Sequence, residues 1–156
     1  RLFERVPSSP PPTVLHNDFK LNNCQFSLAN PDRVMSVFDW DMATVGDPLV
    51  DLGTLLNYLP DPDGDTSSGR VAIGGQEAMG LPSRQEIVDA YSARTGIAAD
   101  AIHWYEAYGT WKTAVIMQQL YARYVRGESS DERLRTSADR MDGVAARALE
   151  LLGQWR

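Results

Sequence analysis

Cysteine is almost absent from this sequence: Cys24 is the only one, so no internal disulfide can form. That fits a reducing compartment, and a cytoplasmic location is the expectation. No signal peptide is visible in these residues, and no uninterrupted apolar run approaches the roughly 18 residues of a membrane span. A basic excess is missing too, since the formal net charge is -6. Such a balance argues against a nucleic-acid binder and would suit a cationic small molecule instead. Histidine is scarce. His16 has no second His or Cys at ligand spacing, and His103 lies in a helix far along the chain, which excludes a zinc site. There is no Gly-x-Ser-x-Gly elbow for a serine hydrolase, and there are no internal repeats.

What is present is enough for one core. The 156 residues are 43% hydrophobic, which fits one domain or one lobe of a larger one. The chain opens on Arg1 rather than Met, as expected of a processed or truncated piece. Pro7-Ser8-Ser9-Pro10-Pro11-Pro12 is an extended connector, because proline fixes φ and lacks a donor. It leads into the short β-type run Thr13-Val14-Leu15. The polar stretch from Asn17 to Asn23 has neither helical nor strand period and reads as a loop. Cys24 to Leu28 and Val34 to Phe38 are apolar runs separated by the turn signal Asn30-Pro31-Asp32, so they predict a β-hairpin. Cys24 is expected to be a buried, inert thiol.

Gly46-Asp47-Pro48 predicts a helix start, with Asp47 as N-cap and Pro48 at the first helical position. Leu49, Leu52, Leu55, Leu56 and Leu59 form its apolar stripe. The segment from Pro60 to about Gly80 reads as a mobile loop; its acidic cluster at Asp61 to Asp65 lacks the closing glutamate of a calcium loop. Ser83 with Glu86 is a capping box for a helix to about Thr95, stopped by Gly96. A long helix is predicted over about 100–125. A last helix from about Asp131 is expected to bury Leu134, Ala138, Met141, Ala145, Leu149 and Leu152.

The loop carries the chemistry. Asp18 sits at a strand end where a side chain can be aimed into a cleft. Asn23 offers a neutral oxygen, and Asp39 arrives from the far strand of the hairpin with an anionic one. Mg²⁺ is usually held by one or two protein oxygens plus phosphates and water, so Asn23 and Asp39 suffice. Asp18 is then left to accept a hydrogen bond from an attacking hydroxyl. Lys20 points the same way along an extended segment and can neutralise a transferring phosphoryl group. Any one Asp in such a loop is more often a turn former than a catalyst; the joint occurrence of His, Asp, Lys and Asn at these offsets is the signal.

His16-x-Asp18-x-x-x-x-Asn23 resembles the catalytic loop of the aminoglycoside phosphotransferase and choline kinase family. With Lys20 it is also similar to the His-Arg-Asp-Leu-Lys-x-x-Asn loop of protein kinases. Val37-Phe38-Asp39-Trp40-Asp41, then Gly46-Asp47-Pro48 and Asp51-Leu52-Gly53, resembles the family's second signature. The match is close over 14–53. The resemblance implies an α+β, mostly helical C-terminal lobe of a protein-kinase-like fold, with the hairpin beside the catalytic loop. It implies an ATP-dependent phosphotransferase acting on a hydroxyl of a small molecule. Asp18 would be the base, Lys20 would contact the γ-phosphate, and Asn23 and Asp39 would hold the Mg²⁺ of Mg-ATP. His16, Asp47 and Asp51 would be structural supports. Asp41 is open between reaching the metal or substrate and a plain surface carboxylate.

The expected division is a connector at 1–12, then the catalytic loop, hairpin and first helix at 13–59. A mobile loop at 60–82 and a helical substrate subdomain at 83–156 follow. Tyr91, Trp104, Tyr105, Tyr108 and Trp111 could flank an acceptor pocket, and core packing explains them equally well. The resemblance also implies an N-terminal nucleotide lobe that this chain does not carry, so the fragment is expected to be inactive alone. A second reading is a non-catalytic kinase-like binding module within a larger multidomain protein.

Overall fold

The computed structural model of the chain describes residues 1–60 and 76–155. The expected mobile loop at 60–82, with its acidic cluster, lies largely outside the described residues. Among those described, the chain is α+β and mostly helical, with two small antiparallel ribbons.

Strand β1 (Thr13–Leu15) follows the prolines, whose fixed φ delivers an extended backbone. It pairs with β4 (Thr44–Gly46) in the register Thr13–Gly46, Val14–Val45 and Leu15–Thr44. Between them lies the predicted hairpin, β2 (Cys24–Phe26) with β3 (Val34–Val37), bulged between Gln25 and Phe26. Its turn closes as Asn30 signals: the Asn30 side chain accepts from the Asp32 N–H at 3.1 Å and its carbonyl from the Arg33 N–H at 3.0 Å. Strand β4 was not foreseen, because three residues are too short to show a period.

Helix α1 (Leu49–Tyr58) starts as predicted. Pro48 already has helical dihedrals, and Asp47 Oδ1 accepts the Leu49 N–H at 2.9 Å, so Asp47 is the capping residue. Helix α2 (Arg84–Thr95) carries the reciprocal Ser83–Glu86 capping box and ends on left-handed Gly96. Helix α3 (Ile102–Val125) is the spine and packs against both α1 and α5 (Ser137–Gln154), with the short α4 (Glu132–Arg135) between. The main core joins Leu49, Leu52, Leu56 and Leu59 to Val88, Trp104 and Tyr105; a smaller cluster joins Ala114, Met117 and Val144.

Several expectations shift. The last helix restarts at Ser137 and buries Val144, Ala148 and Leu151, while Ala145 and Leu149 are exposed. Of the expected stripe, Met141 and Leu152 pack against the core clusters, while contact with α3 centres the buried face on Val144, Ala148 and Leu151. Trp104 and Tyr105 are core residues, Tyr108 packs against that core, and Trp111 is exposed. Cys24 is only half-buried; burial raises its thiol, which lies 3.6 Å from the Lys20 carbonyl. The first residues of the connector are tied down: Trp104 Nε1 donates to the Leu2 carbonyl at 3.1 Å and Trp155 Nε1 to that of Arg5 at 3.3 Å.

Two devices join α1 to α3. Buried Asn57 exchanges hydrogen bonds with Thr110 and Thr113, both at 3.0 Å. The backbones also approach closely at Gly53, where a Cβ would meet the Tyr105 carbonyl at 2.5 Å, and at Gly109, where it would meet the Gly53 carbonyl at 3.2 Å. Near the end of α1, Arg84 Nη1 donates to the Leu56 carbonyl at 2.7 Å and its guanidinium pairs with buried Glu106. Gly53→Ala should therefore destabilise the protein by about 1–3 kcal/mol, the usual cost of overpacking a close contact. Gly153→Ala, where a Cβ meets nothing within 4 Å, should leave the midpoint of urea unfolding unchanged or raised.

Candidate functional site

The site assembles where β1 ends and the 16–23 loop begins. Asp51, in the first turn of α1, accepts the His16 N–H on Oδ2 and the Asn17 N–H on Oδ1, each at 2.7 Å. One carboxylate thus fixes two successive peptide groups. His16 is buried and doubly used: Nε2 bonds the Phe38 carbonyl at 2.6 Å, and Nδ1 faces the Asp18 N–H at 3.2 Å. That pair of partners requires the proton on Nε2, with Nδ1 as acceptor. Trp40 packs on the imidazole with ring centroids 4.7 Å apart.

Asn17 has φ 65°, the left-handed conformation that Asn and Asp tolerate better than other non-glycine residues. Its side-chain Nδ2 donates to the Met42 carbonyl at 3.0 Å, and Lys112 Nζ donates to its own carbonyl. Burial lowers the Lys112 ammonium, against the opposing pull of Asp18 and Asp51. The turn at Asn17 directs Asp18 toward Lys20, whose Nζ lies 2.5 Å from Asp18 Oδ2. Asn23 is buried in a 3₁₀ turn (Leu21–Asn23), and its Nδ2 donates to the Asp18 carbonyl at 3.0 Å. The Tyr58 hydroxyl, from the end of α1, donates to Asp18 Oδ1 at 3.2 Å.

Asp39 is exposed, left-handed at φ 65°, and precedes the 3₁₀ turn Trp40–Met42. Its neighbour Phe38 donates its N–H to the Asn23 carbonyl at 2.8 Å, which seats the start of that turn beside Asn23. Asp41 is exposed within the turn and has no hydrogen bond or ion pair among the described residues. Asp47 Oδ2 accepts the Tyr105 hydroxyl at 2.6 Å. Burial first, then the Asp47 hydrogen bond, hold the Tyr105 phenol above its usual range.

A cation could be held by Asn23 and Asp39. With Nδ2 turned to Asp18, Asn23 leaves Oδ1 available, and the Asp39 carboxylate is unpaired among the described residues. Among those residues no three or more His, Cys, Asp or Glu converge as a metal cage. Two protein oxygens beside phosphates and water is the ordinary requirement of Mg²⁺, and the donor set here fits it. Behind the loop opens a cavity of about 300 Å³ lined by Val14, His16, Phe19, Trp40, Asp51 and Tyr91 among others.

Sequence reasoning missed Lys112 and Tyr58. Lys112 had a signal: it is a lone charge within the apolar run Tyr108 to Met117, and with Lys20 it makes up the chain's entire lysine content. Tyr58 had none, since it reaches Asp18 across 40 residues of chain.

A match to the phosphotransferase enzyme family covers residues 1–87, more than half the chain, and the chain belongs to that family. Curated relatives include acyl-CoA dehydrogenase family member 11 of Rattus norvegicus, 32% identical over 142 residues, covering 88% of this chain and 18% of the relative. The Mus musculus member 11 is 32% identical over 155 residues, covering 96% and 19%. The Mus musculus family member 10 is 29% identical over 149 residues, covering 90% and 13%. The chain thus spans less than a fifth of the length of these relatives. No solved structure matches it significantly. Among the described residues, no helix is long and apolar enough to cross a membrane.

Asp51→Asn keeps one carbonyl acceptor and strands one of the two N–H groups. The expected loss is about 1–3 kcal/mol of stability. Faster hydrogen exchange confined to the His16 and Asn17 amides would locate it, and unchanged exchange there would argue that the carboxylate is not the clamp.

Proposed function

We propose that this chain is the catalytic and acceptor-side lobe of an ATP-dependent O-phosphotransferase that acts on a hydroxyl of a small molecule. The observation that carries the reading is the Asp18 carboxylate, aimed from the clamped loop with Lys20 on one oxygen and Asn23 beneath it. Membership of the phosphotransferase enzyme family supports it. A protein-kinase-like arrangement of the lobe is part of the proposal. The rest of the nucleotide site, a glycine-rich hairpin and a strand lysine with its glutamate partner, would come from outside residues 1–156.

In this mechanism Asp18 accepts the hydrogen bond of the attacking hydroxyl and orients its oxygen in line with the γ-phosphate. Lys20 offsets the negative charge on the phosphoryl oxygens and stays near Asp18 to do so. Asn23 and Asp39 are the residues that would hold Mg²⁺; bound there, the cation would neutralise charge on the nucleotide phosphates. His16, Asp47 and Asp51 keep the loop and the start of α1 in place. Asp41, on the same turn as Asp39, is the further carboxylate that could reach the cation or the acceptor.

The acceptor is proposed as a small alcohol. The relatives' names contain acyl-CoA dehydrogenase, so hydroxylated acyl thioesters belong in a screen beside aminoglycosides, macrolides, choline-like amines, sugars and homoserine-like compounds. The test of the base is Asp18→Ala in the full-length protein. Turnover should fall by at least about 10²-fold, as expected when a positioned base is removed. Wild-type turnover in that variant would refute the assignment.

The alternative is a non-catalytic binding module within a larger multidomain protein, favoured only by the small share of its relatives that the chain spans. Mg²⁺-dependent ATP binding by the intact protein separates the two. Its absence with every domain present would favour the module.

A further inference from the structure

Both oxygens of the Asp18 carboxylate are occupied by the chain itself. Oδ2 carries the Lys20 ammonium at 2.5 Å and lies 3.4 Å from Asn23 Nδ2. Oδ1 carries the Tyr58 hydroxyl at 3.2 Å. The two are unequal. The Oδ2 bond is short and charge-assisted, and the Oδ1 bond is longer, with a neutral donor, so Oδ1 is the oxygen more easily vacated. Each carboxylate oxygen has two acceptor positions, and Tyr58 fills one on Oδ1, so an attacking hydroxyl must share that oxygen with Tyr58 or displace it.

Tyr58 is held in that position from several sides. It is the last residue of α1, and its neighbour Asn57 is bound to Thr110 and Thr113 of α3. Lys20 Nζ lies over the Tyr58 ring at 5.3 Å from its centroid. Tyr58 therefore meets both groups proposed to act on the phosphoryl transfer, Asp18 through its hydroxyl and Lys20 through its ring. Burial, followed by the charge of Asp18 and the hydrogen bond to it, holds the phenol well above its usual range. It is a proton donor at every physiological pH.

We propose that the Tyr58 hydroxyl is a stopper on Asp18, keeping water off the base until the hydroxyl of the acceptor displaces it. This rests on the phosphotransferase reading above and adds a reason why the triphosphate would not be hydrolysed in the acceptor's absence. In the reaction it suppresses, a water oxygen forms a bond to the γ-phosphorus as the bond to the β,γ-bridging oxygen breaks. The diphosphate leaves with that electron pair, and the water's proton passes through Asp18 Oδ1 to the products. With the acceptor in place of water the balance is the same, and the phosphate ends on the acceptor oxygen. Tyr58 is a positioning residue here: it acts by holding Oδ1 and takes no part in bond making.

The test uses the intact protein with Mg-ATP and no acceptor. Tyr58→Phe keeps the ring and removes the stopper, so acceptor-independent ATP hydrolysis should rise about ten-fold or more, the low end of what a hydrogen bond to a charged group is worth. Adding Asp18→Asn should abolish the rise. A second readout needs no nucleotide. In protein labelled with ¹³Cζ-tyrosine, the Tyr58 resonance, assigned by its loss in Tyr58→Phe, should shift on Asp18→Asn. Hydrolysis by Tyr58→Phe at or below the wild-type rate, with Mg-ATP bound, would overturn the stopper, as would an unmoved resonance. Failure of the unsubstituted protein to bind Mg-ATP would remove the phosphotransferase reading and the stopper with it, even where the resonance shifts.

Discussion

Two N–H groups meeting one carboxylate is the contact on which the rest of this site depends. Asp51 stands in the first turn of α1, so the loop that follows β1 is tied to the helix that follows β4. A backbone tied at two successive peptides cannot rotate freely at the next residue, and the next residue is Asp18. The helix in turn is fixed by its Asp47 cap, by the Tyr105 hydroxyl on the same carboxylate, and by the close crossing at Gly53. Precision at the loop is thus inherited from packing between α1 and α3. Neither the loop nor its ribbons are large enough to supply it, for the strands are three or four residues long.

Charge is distributed with the same economy. Lys20 and Lys112 are the chain's lysines, and both lie beside Asp18, one on its carboxylate and one on the carbonyl just before it. Both cations stand among carboxylates: Lys20 pairs with Asp18, and Lys112 feels the charges of Asp18 and Asp51. Lys112 comes from α3, the helix that also forms the core, so the site is partly built by the spine of the molecule.

What was legible in the sequence was local. The turn at Asn30 to Asp32, the Asp47 cap and the Ser83–Glu86 box are signals a few residues long, and each element starts or turns where its signal lies. The loop residues could also be read, because His16, Asp18, Lys20 and Asn23 are close in sequence. Long-range partners could not. Tyr58 and Lys112 reach the loop across 40 and 95 residues, and only the packing of α1 on α3 brings them there. The buried face of α5 was read in part: Met141 and Leu152 pack against the core, but two apolar phases fit one helix, and the choice between Val144 and Ala145 is made by α3.

Asn17 holds a conformation that few side chains tolerate, and its partners come from three separate stretches: Met42 after the hairpin, Asp51 in α1 and Lys112 in α3. None of these contacts involves a reacting group. A change at any one of the three is therefore felt at the same peptide, next to the proposed base. Sequence drift at position 17 is constrained jointly by distant parts of the chain, and a β-branched residue there would meet both the backbone penalty and the loss of the Met42 bond. The loop can vary its surface more freely than it can vary this pivot.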